Sequence, residues 1–184
     1  MHSLALKNVF KSYGDVHAVH DLSLNIEEGK IFGLLGPNGA GKTTTIRMIM
    51  EIIMPDKGTI EIFGKPNSRE ARDQIGYLPE ERGLFKKMKV IDVLAFFAEL
   101  KEMNPSKAHK KADSFLERFE LLEWRDKKVE ELSRGMQQKV QFIATILHEP
   151  KLIILDEPFT GLDPVNTNMV KNMMLDLKKQ GTTI

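Results

Sequence analysis

The sequence predicts an α/β fold with an inserted helical lobe. Strand-like segments fill the first third of the chain, amphipathic helices fill the middle, and a strand followed by a helix returns at the end. Two continuous apolar runs, Ile31–Leu35 and Leu152–Leu155, are typical of buried strands in a parallel sheet. These observations favour an α/β core that carries a helical insert.

The first third alternates strands and turns before a helix. Leu4–Val9 is strand-like, and Ala18–Ile26 alternates apolar and polar residues. The run Ile31–Leu35 predicts a buried strand. A glycine-rich loop then leads into Thr43–Ile53, whose apolar residues have helical spacing, and Thr59–Phe63 returns as a strand.

The middle of the chain has the pattern of a helical lobe. Val90–Met103 and Lys107–Leu122 are amphipathic helices without a strand pattern between them. A third helix follows over Met136–Leu147, and the last runs from about Val165 to Gln180. We therefore expect a single domain over residues 1–184, with its core in 1–85 and 150–184 and the helical lobe in 86–149.

Composition excludes several classes of function. Lys and Arg number 27 and Asp and Glu 26, so a net charge of +1 gives no general positive field, and we expect no nucleic-acid partner. The absence of cysteine excludes disulfide scaffolds, cysteine-ligated zinc and thiol nucleophiles. No apolar run approaches the roughly 18–20 residues of a membrane span, so we expect a soluble, cytoplasmic chain.

A glycine-rich loop between a strand and a helix predicts a nucleotide site. It fits the pattern G-x-x-x-x-G-K-[ST] and consists of Gly36, Pro37, Asn38, Gly39, Ala40, Gly41, Lys42 and Thr43. Its glycines let backbone N–H groups point inward, and the helix N-terminus adds positive charge. We expect Lys42 to reach the β- and γ-phosphates, the Thr43 hydroxyl to ligate Mg²⁺, and Thr44 to bond the α-phosphate. The alternative, a structural turn, is disfavoured by the strand–loop–helix context.

Two carboxylates follow the second apolar run. Asp156 comes directly after Leu152–Leu155, where it would hold Mg²⁺ through a water at the sheet edge. Glu157 would orient or deprotonate the water that attacks the γ-phosphate. The alternative is a solvated acidic turn before Pro158, and the upstream phosphate loop favours the functional interpretation.

Further motifs resemble those of ATP-binding-cassette (ABC) ATPases. Glu131–Lys139 resembles the LSGGQ signature, Gly161–Pro164 the D-loop, and Ile75–Glu80 the Q-loop region. Tyr13 resembles the aromatic A-loop residue that stacks on adenine. The resemblance runs from about Leu4 to the last residue. It implies a P-loop NTPase of the ABC type: a mixed sheet with flanking helices, an N-terminal antiparallel β-subdomain and an inserted helical lobe.

The resemblance also implies cofactors, roles and partners. An ABC domain is an ATPase that uses ATP and Mg²⁺, which gives Lys42 and Glu157 catalytic roles and makes Glu80 a metal ligand beside Thr43 and Asp156. Two subunits form an ATP-dependent head-to-tail dimer, in which Ser133 and Gly135 of one subunit face the γ-phosphate held by the other. A membrane-spanning permease is the second implied partner, which places the domain peripherally at the inner face of the cell membrane.

Three departures from the family pattern stand out. The signature carries Arg134 in place of a glycine and Met136 in place of a glutamine, and Glu80 replaces the Q-loop glutamine. The family's switch histidine would lie beyond Ile184. Since Gly181 closes the last helix and the next residues begin a strand pattern, we expect a C-terminally truncated chain that hydrolyses ATP poorly.

The local sequence favours one branch of the family. The segment 77–84 looks like the branch that drives ABC-2-type exporters, including sodium exporters. Leu84 and Phe85 are the pair that we expect to face the permease. The alternative is a soluble or regulatory ABC ATPase that is not coupled to transport, and the irregular signature motivates it.

Overall fold

Strands dominate the N-terminal part of the chain and helices its middle. A computed structural model describes residues 2–81 and 83–184. Its strands are β1 (His2–Tyr13), β2 (Val16–Glu27), β3 (Lys57–Ile62), β4 (Lys65–Pro66), β5 (Ile75–Leu78) and β6 (Leu152–Leu155). Its helices are α1 (Lys42–Ile49), α2 (Arg69–Arg72), α3 (Val90–Glu99), α4 (Pro105–Arg118), α5 (Arg134–Ile146) and α6 (Pro164–Lys179). Single 3₁₀ turns occupy Leu122–Trp124 and Val129–Glu131.

The N-terminal strands form an antiparallel sheet in the order β2-β1-β3-β4. The hairpin β1–β2 turns at Gly14, whose positive φ of 57° suits glycine. The buried side chains of this sheet, such as Leu6 and Ile62, pack against Met48 and Ile49 of α1. The sheet therefore supports the helix that follows the phosphate loop.

The strands β5 and β6 pair in parallel, with Ile75 opposite Leu152 and Leu78 opposite Leu155. Helix α5 packs directly on β5. The approach is so close that a Cβ at Gly76 would lie 2.3 Å from the Thr145 carbonyl oxygen. Parallel strands end at the same edge of a sheet. The segments that follow β5 and β6 therefore leave this pair side by side.

The helices α3, α4 and α5 share one apolar core. The Phe119 and Phe142 rings lie 5.8 Å apart within it, and the same cluster includes Leu78, Ile153 and Val170. Packing is thus continuous from the helical lobe to β5, β6 and α6. Among the described residues, no helix combines the length and the apolar character needed to cross a bilayer.

The helix starts follow local capping. The Asn104 side chain accepts hydrogen bonds from the backbone N–H groups at the start of α4, and Asp163 does the same for α6. A proline occupies the first turn of both helices. Helix α1 ends at Ile49, earlier than the predicted Ile53, because Glu51 adopts a positive φ of 55° that a helix does not accommodate.

The predicted buried strand over Ile31–Leu35 is not formed. The segment carries no strand assignment, and Leu35 is 92% exposed. Among the described residues, its backbone is paired only at its start, where Phe32 N donates to the Ile184 carbonyl at 2.8 Å and Ile184 N donates to the Lys30 carbonyl at 2.9 Å. A groove of about 360 Å³ lies between this segment and β6. The apolar run predicted a buried strand. In the part of the chain that the structure describes, only Ile184 pairs with this segment, so most of the run has no neighbouring strand to cover it.

Candidate functional site

The phosphate loop and the acidic strand end meet at one cavity of about 490 Å³. The loop and the start of α1 form one wall, and the segments after β5 and β6 form the other. The cavity is lined by Ala18, Asn38, Gly39, Gly41, Lys42, Thr43, Thr44, Glu80, Asp156, Glu157 and Thr160. Nine of these residues were predicted as site residues from the sequence; Ala18 and Thr160 were not.

Gly41 fixes the loop against β2. Its φ is +82°, and a Cβ there would lie 2.2 Å from the Ala18 carbonyl oxygen. Gly41 is also the N-cap of α1, and no side chain caps that helix end. The first N–H groups of α1 therefore keep their hydrogen-bonding capacity and face the cavity mouth as an anion site.

Lys42 holds its charge over the loop. The ammonium Nζ donates to the Gly36 carbonyl at 2.8 Å and to the Pro37 carbonyl at 3.0 Å. These two residues therefore contribute carbonyl oxygens to the ammonium, although they do not line the cavity. Lys42 also lines the cavity, so its positive charge lies beside the phosphate loop, and a cation next to such a loop favours phosphate groups.

Asp156 is a buried carboxylate with an unused oxygen. The residue is 5% exposed, and its N–H donates to the Leu78 carbonyl at 2.9 Å, which extends the β5–β6 pairing by one residue. Among the described residues, Oδ2 has no hydrogen-bond partner. A buried carboxylate oxygen without a donor fits a hydrated Mg²⁺, and the Thr43 hydroxyl and the Glu80 carboxylate, which belong to the same cavity, could supply further oxygen ligands.

The charge of Asp156 also acts on Tyr77 of β5. Burial raises the pKa of the Tyr77 phenol above its ordinary value, and the negative charge of Asp156 raises it further. Tyr77 therefore remains a neutral neighbour of the acidic strand end.

Glu157 has an unusual backbone. Its φ is +51°, in the left-handed region that residues other than Gly, Asn and Asp rarely adopt. A hydrogen bond from Thr160 N to the Glu157 carbonyl, at 3.2 Å, closes the turn. Such strain persists where the surrounding structure enforces it. The turn brings Glu157 to the wall of the cavity beside Asp156.

Six of the predicted site residues do not line the cavity. They are Tyr13, Gly36, Pro37, Ala40 and the signature residues Ser133 and Gly135. Tyr13 is half exposed at the end of β1, with Lys11 Nζ 5.7 Å from its ring centroid. Ser133 caps α5 by accepting a hydrogen bond from Met136 N at 3.3 Å.

Comparison with known proteins decides the family. The ABC transporter family pattern matches residues 19–160, which is most of the chain. The chain belongs to the ABC transporter ATP-binding family. Members of this family are P-loop ATPases. The phosphate loop and the acidic strand end described above both lie within the matched region.

Individual ABC proteins agree with this assignment. The ABC transporter ATP-binding protein YhaQ of Bacillus subtilis is 51% identical over 98% of the chain, which spans 61% of YhaQ. LptB of Haemophilus influenzae, a lipopolysaccharide export system ATP-binding protein, is 37% identical over 98% of the chain and 78% of LptB. A solved ATP-binding subunit of an ABC transporter superposes with a TM-score of 0.89 at 30% identity, over 97% of this chain and 76% of that one.

Sequence reasoning missed the polar contacts that α5 makes with the walls of the ABC site. Gln138 and Gln141 are buried, and their side-chain amides donate to the carbonyls of Pro158 and Glu81. Two glutamines on the buried face of a helix were the available signal, because buried polar side chains need partners. Ala18 left no signal, since only its backbone approaches Gly41.

Proposed function

We propose that this chain is an ATP-binding and ATP-hydrolysing subunit that powers a separate membrane-spanning permease, as an exporter. One observation carries the proposal: Lys42, Glu80, Asp156 and Glu157 all line the cavity that the phosphate loop forms. This supports an arrangement in which a cation, a candidate metal site and a candidate base surround the γ-phosphate of a bound nucleotide.

The residues divide the chemistry between them. The loop N–H groups and Lys42 bind the phosphates, and Asp156, Thr43 and Glu80 hold Mg²⁺. When bound, Mg²⁺ neutralises charge on the β- and γ-phosphates. Glu157 accepts the proton of the water that attacks the γ-phosphate. Its constrained turn fixes the carboxylate beside that position.

We assign the signature segment to a second subunit's site. Ser133 and Gly135 lie at the exposed N-terminus of α5, away from the cavity of their own chain. A hydroxyl, backbone N–H groups and a helix N-terminus favour an anion. A head-to-tail dimer, formed when ATP is bound, would bring this segment to the γ-phosphate held by the partner. Tyr13 would stack on the adenine at the rim of the same site.

The permease-facing surface is assigned to the start of the helical lobe. Phe85 is 47% exposed, although its ring packs edge-on against Phe96 at 5.2 Å. Leu84 is partly buried beside it. A large exposed aromatic side chain five residues after Glu80 suits a partner that senses the nucleotide site.

Export as the direction of transport rests on two observations. One is the resemblance of segment 77–84, of which Arg82 lies outside the described residues, and the other is the similarity to LptB. We assign the protein to the cytoplasmic face of the membrane.

Phosphate release from Mg-ATP tests the proposed hydrolysis. Glu157→Gln removes the base but keeps the side-chain shape, so we expect the rate to fall on the order of 10²-fold. The matched control is Glu117→Gln, which changes an exposed glutamate on α4. Hydrolysis that is unaffected by Glu157→Gln would contradict the assigned role. Measurable hydrolysis by the wild type that Glu157→Gln removes would exclude the regulatory alternative.

A further inference from the structure

Helix α5 carries a buried polar stripe. Gln138, Gln141 and Thr145 follow one face of the helix, and each is at most 6% exposed. Gln138 Nε2 lies 3.5 Å from the Pro158 carbonyl, Gln141 Nε2 lies 3.2 Å from the Glu81 carbonyl, and Thr145 Oγ1 lies 3.5 Å from the Tyr77 carbonyl. The stripe therefore faces the segments that carry Glu80 and Glu157.

The Gln141 amide contacts the loop that carries Glu80. Strand β5 ends at Leu78, and among the described residues the next backbone hydrogen bond in the following segment joins Met88 to Phe85, while Leu84 packs against the apolar core. Within the described residues of the loop 79–84, the Glu81 carbonyl is the only group with a hydrogen bond to the rest of the protein, and its donor is Gln141. Glu80, the residue that this loop contributes to the cavity, precedes that carbonyl directly.

The choice of glutamine at this position is costly for stability. Among the described residues, the buried Oε1 of Gln141 has no hydrogen-bond partner. An unsatisfied buried amide oxygen carries a desolvation penalty, and an apolar side chain of equal volume would avoid it. The amide nitrogen of the same side chain offsets this cost by its hydrogen bond to the Glu81 carbonyl, which tethers the Glu80 loop.

We propose that Gln141 is a positioning residue that sets Glu80 for the Mg²⁺ of the bound nucleotide. This inference rests on the proposed function, because it gives Glu80 its part in the Mg-ATP site. Helix α5 is anchored in the core through Val140, Phe142 and Ile143, so the amide of Gln141 is a fixed point. The hydrogen bond from this amide fixes the Glu81 carbonyl, which directly follows Glu80. Ser133 is the N-cap of the same helix, so one rigid element both contacts the Glu80 loop and carries the signature segment.

The Mg²⁺ dependence of ATP binding tests the proposal. Gln141→Met keeps the side-chain volume and removes the donor, and Gln141→Asn stays polar but is one methylene too short. Affinity for ATP is measured by calorimetry with excess Mg²⁺ and with EDTA. We expect both variants to weaken the Mg-ATP complex about three- to tenfold and to leave Mg²⁺-free binding unchanged.

The control is Gln137→Met, which makes the same change on the same helix. The Gln137 amide donates to the Val129 and Leu132 carbonyls rather than to the Glu80 loop, so its ratio of the two affinities should equal that of the wild type. Thermal unfolding of each variant reports its stability separately. A structural role alone would lower both affinities together or neither.

A double-mutant cycle with Glu80→Ala completes the test. If Gln141 acts through Glu80, Gln141→Met has no further effect on Mg-ATP affinity once Glu80 is removed. An undiminished effect in the Glu80→Ala background, or an unchanged Mg²⁺ dependence in the Gln141 variants, would overturn the inference while ATP binding by the wild type still stands. A wild type that binds no ATP would overturn the proposed function together with the inference.

Discussion

The phosphate loop depends on glycines whose backbone conformation disfavours any side chain. Gly41 combines a positive φ with a 2.2 Å approach of its Cβ position to the Ala18 carbonyl, whereas Gly39 has the same φ of 82° with no atom within 4 Å. The two glycines therefore separate conformational strain from steric overlap. The loop pattern was recognisable from the sequence because these backbone requirements restrict the residue type.

Alanine at the two positions should destabilise the protein by different amounts. For Gly39→Ala we expect a loss of about 1–2 kcal/mol in the free energy of unfolding, from the left-handed backbone alone. For Gly41→Ala we expect about 2–5 kcal/mol, because the new methyl group also overlaps the Ala18 carbonyl. Urea denaturation without nucleotide measures both losses. Equal losses would show that the close approach of β2 to the loop is absent.

The elements show where sequence patterns succeed and fail. Strand β6 has the predicted bounds, because the preceding helix ends at Ile146, before Pro150, and Asp156 ends the apolar run. The equally apolar run Ile31–Leu35 is not a strand, because strand formation also requires neighbours, which sequence pattern does not report. For the same reason, the contact from Gln141 to the Glu80 loop was not predicted: it joins residues 60 positions apart.

The junction between α5 and β5 contains a partly buried histidine. His148 Nε2 donates a hydrogen bond to the Ile75 carbonyl at 3.2 Å. Burial, and after it the nearby Lys101 ammonium, lower the pKa of His148 from 6.5 to about 4, although the hydrogen bond to Ile75 and the charge of Asp73 act in the opposite direction. The ring therefore stays neutral in the folded chain at pH values where it is protonated in the unfolded chain.

Stability should therefore fall in mildly acidic solution. Between pH 6.5 and about 4 the unfolded chain binds a proton at His148 that the folded chain does not, so the free energy of unfolding decreases as pH decreases. His148→Gln keeps a donor for Ile75 and removes the titration, so its decline between pH 7 and pH 5 should be shallower. Urea denaturation at both pH values gives the comparison. Parallel declines in the two proteins would contradict the partly buried, neutral state of His148.

At the scale of the whole molecule, two packed units meet at the cavity between the phosphate loop and the acidic strand end. The N-terminal sheet supports α1 and the phosphate loop, while the core of the helical lobe extends through β5, β6 and α6 to the acidic residues. The family motifs in the sequence identified both walls of the site. They did not reveal the tether from α5, which makes the lobe part of the site that it borders.

Calorimetric titration of Mg-ATP into the chain, with Lys42→Ala in parallel, tests the account most directly. The phosphate loop of the free protein already holds Lys42 over its carbonyls and leaves the α1 N-terminus uncapped. We therefore predict that the wild type binds Mg-ATP and that Lys42→Ala abolishes or greatly weakens binding while the fold is retained. Equal binding by both proteins, or no binding by the wild type, would contradict the assignment of this cavity as the nucleotide site.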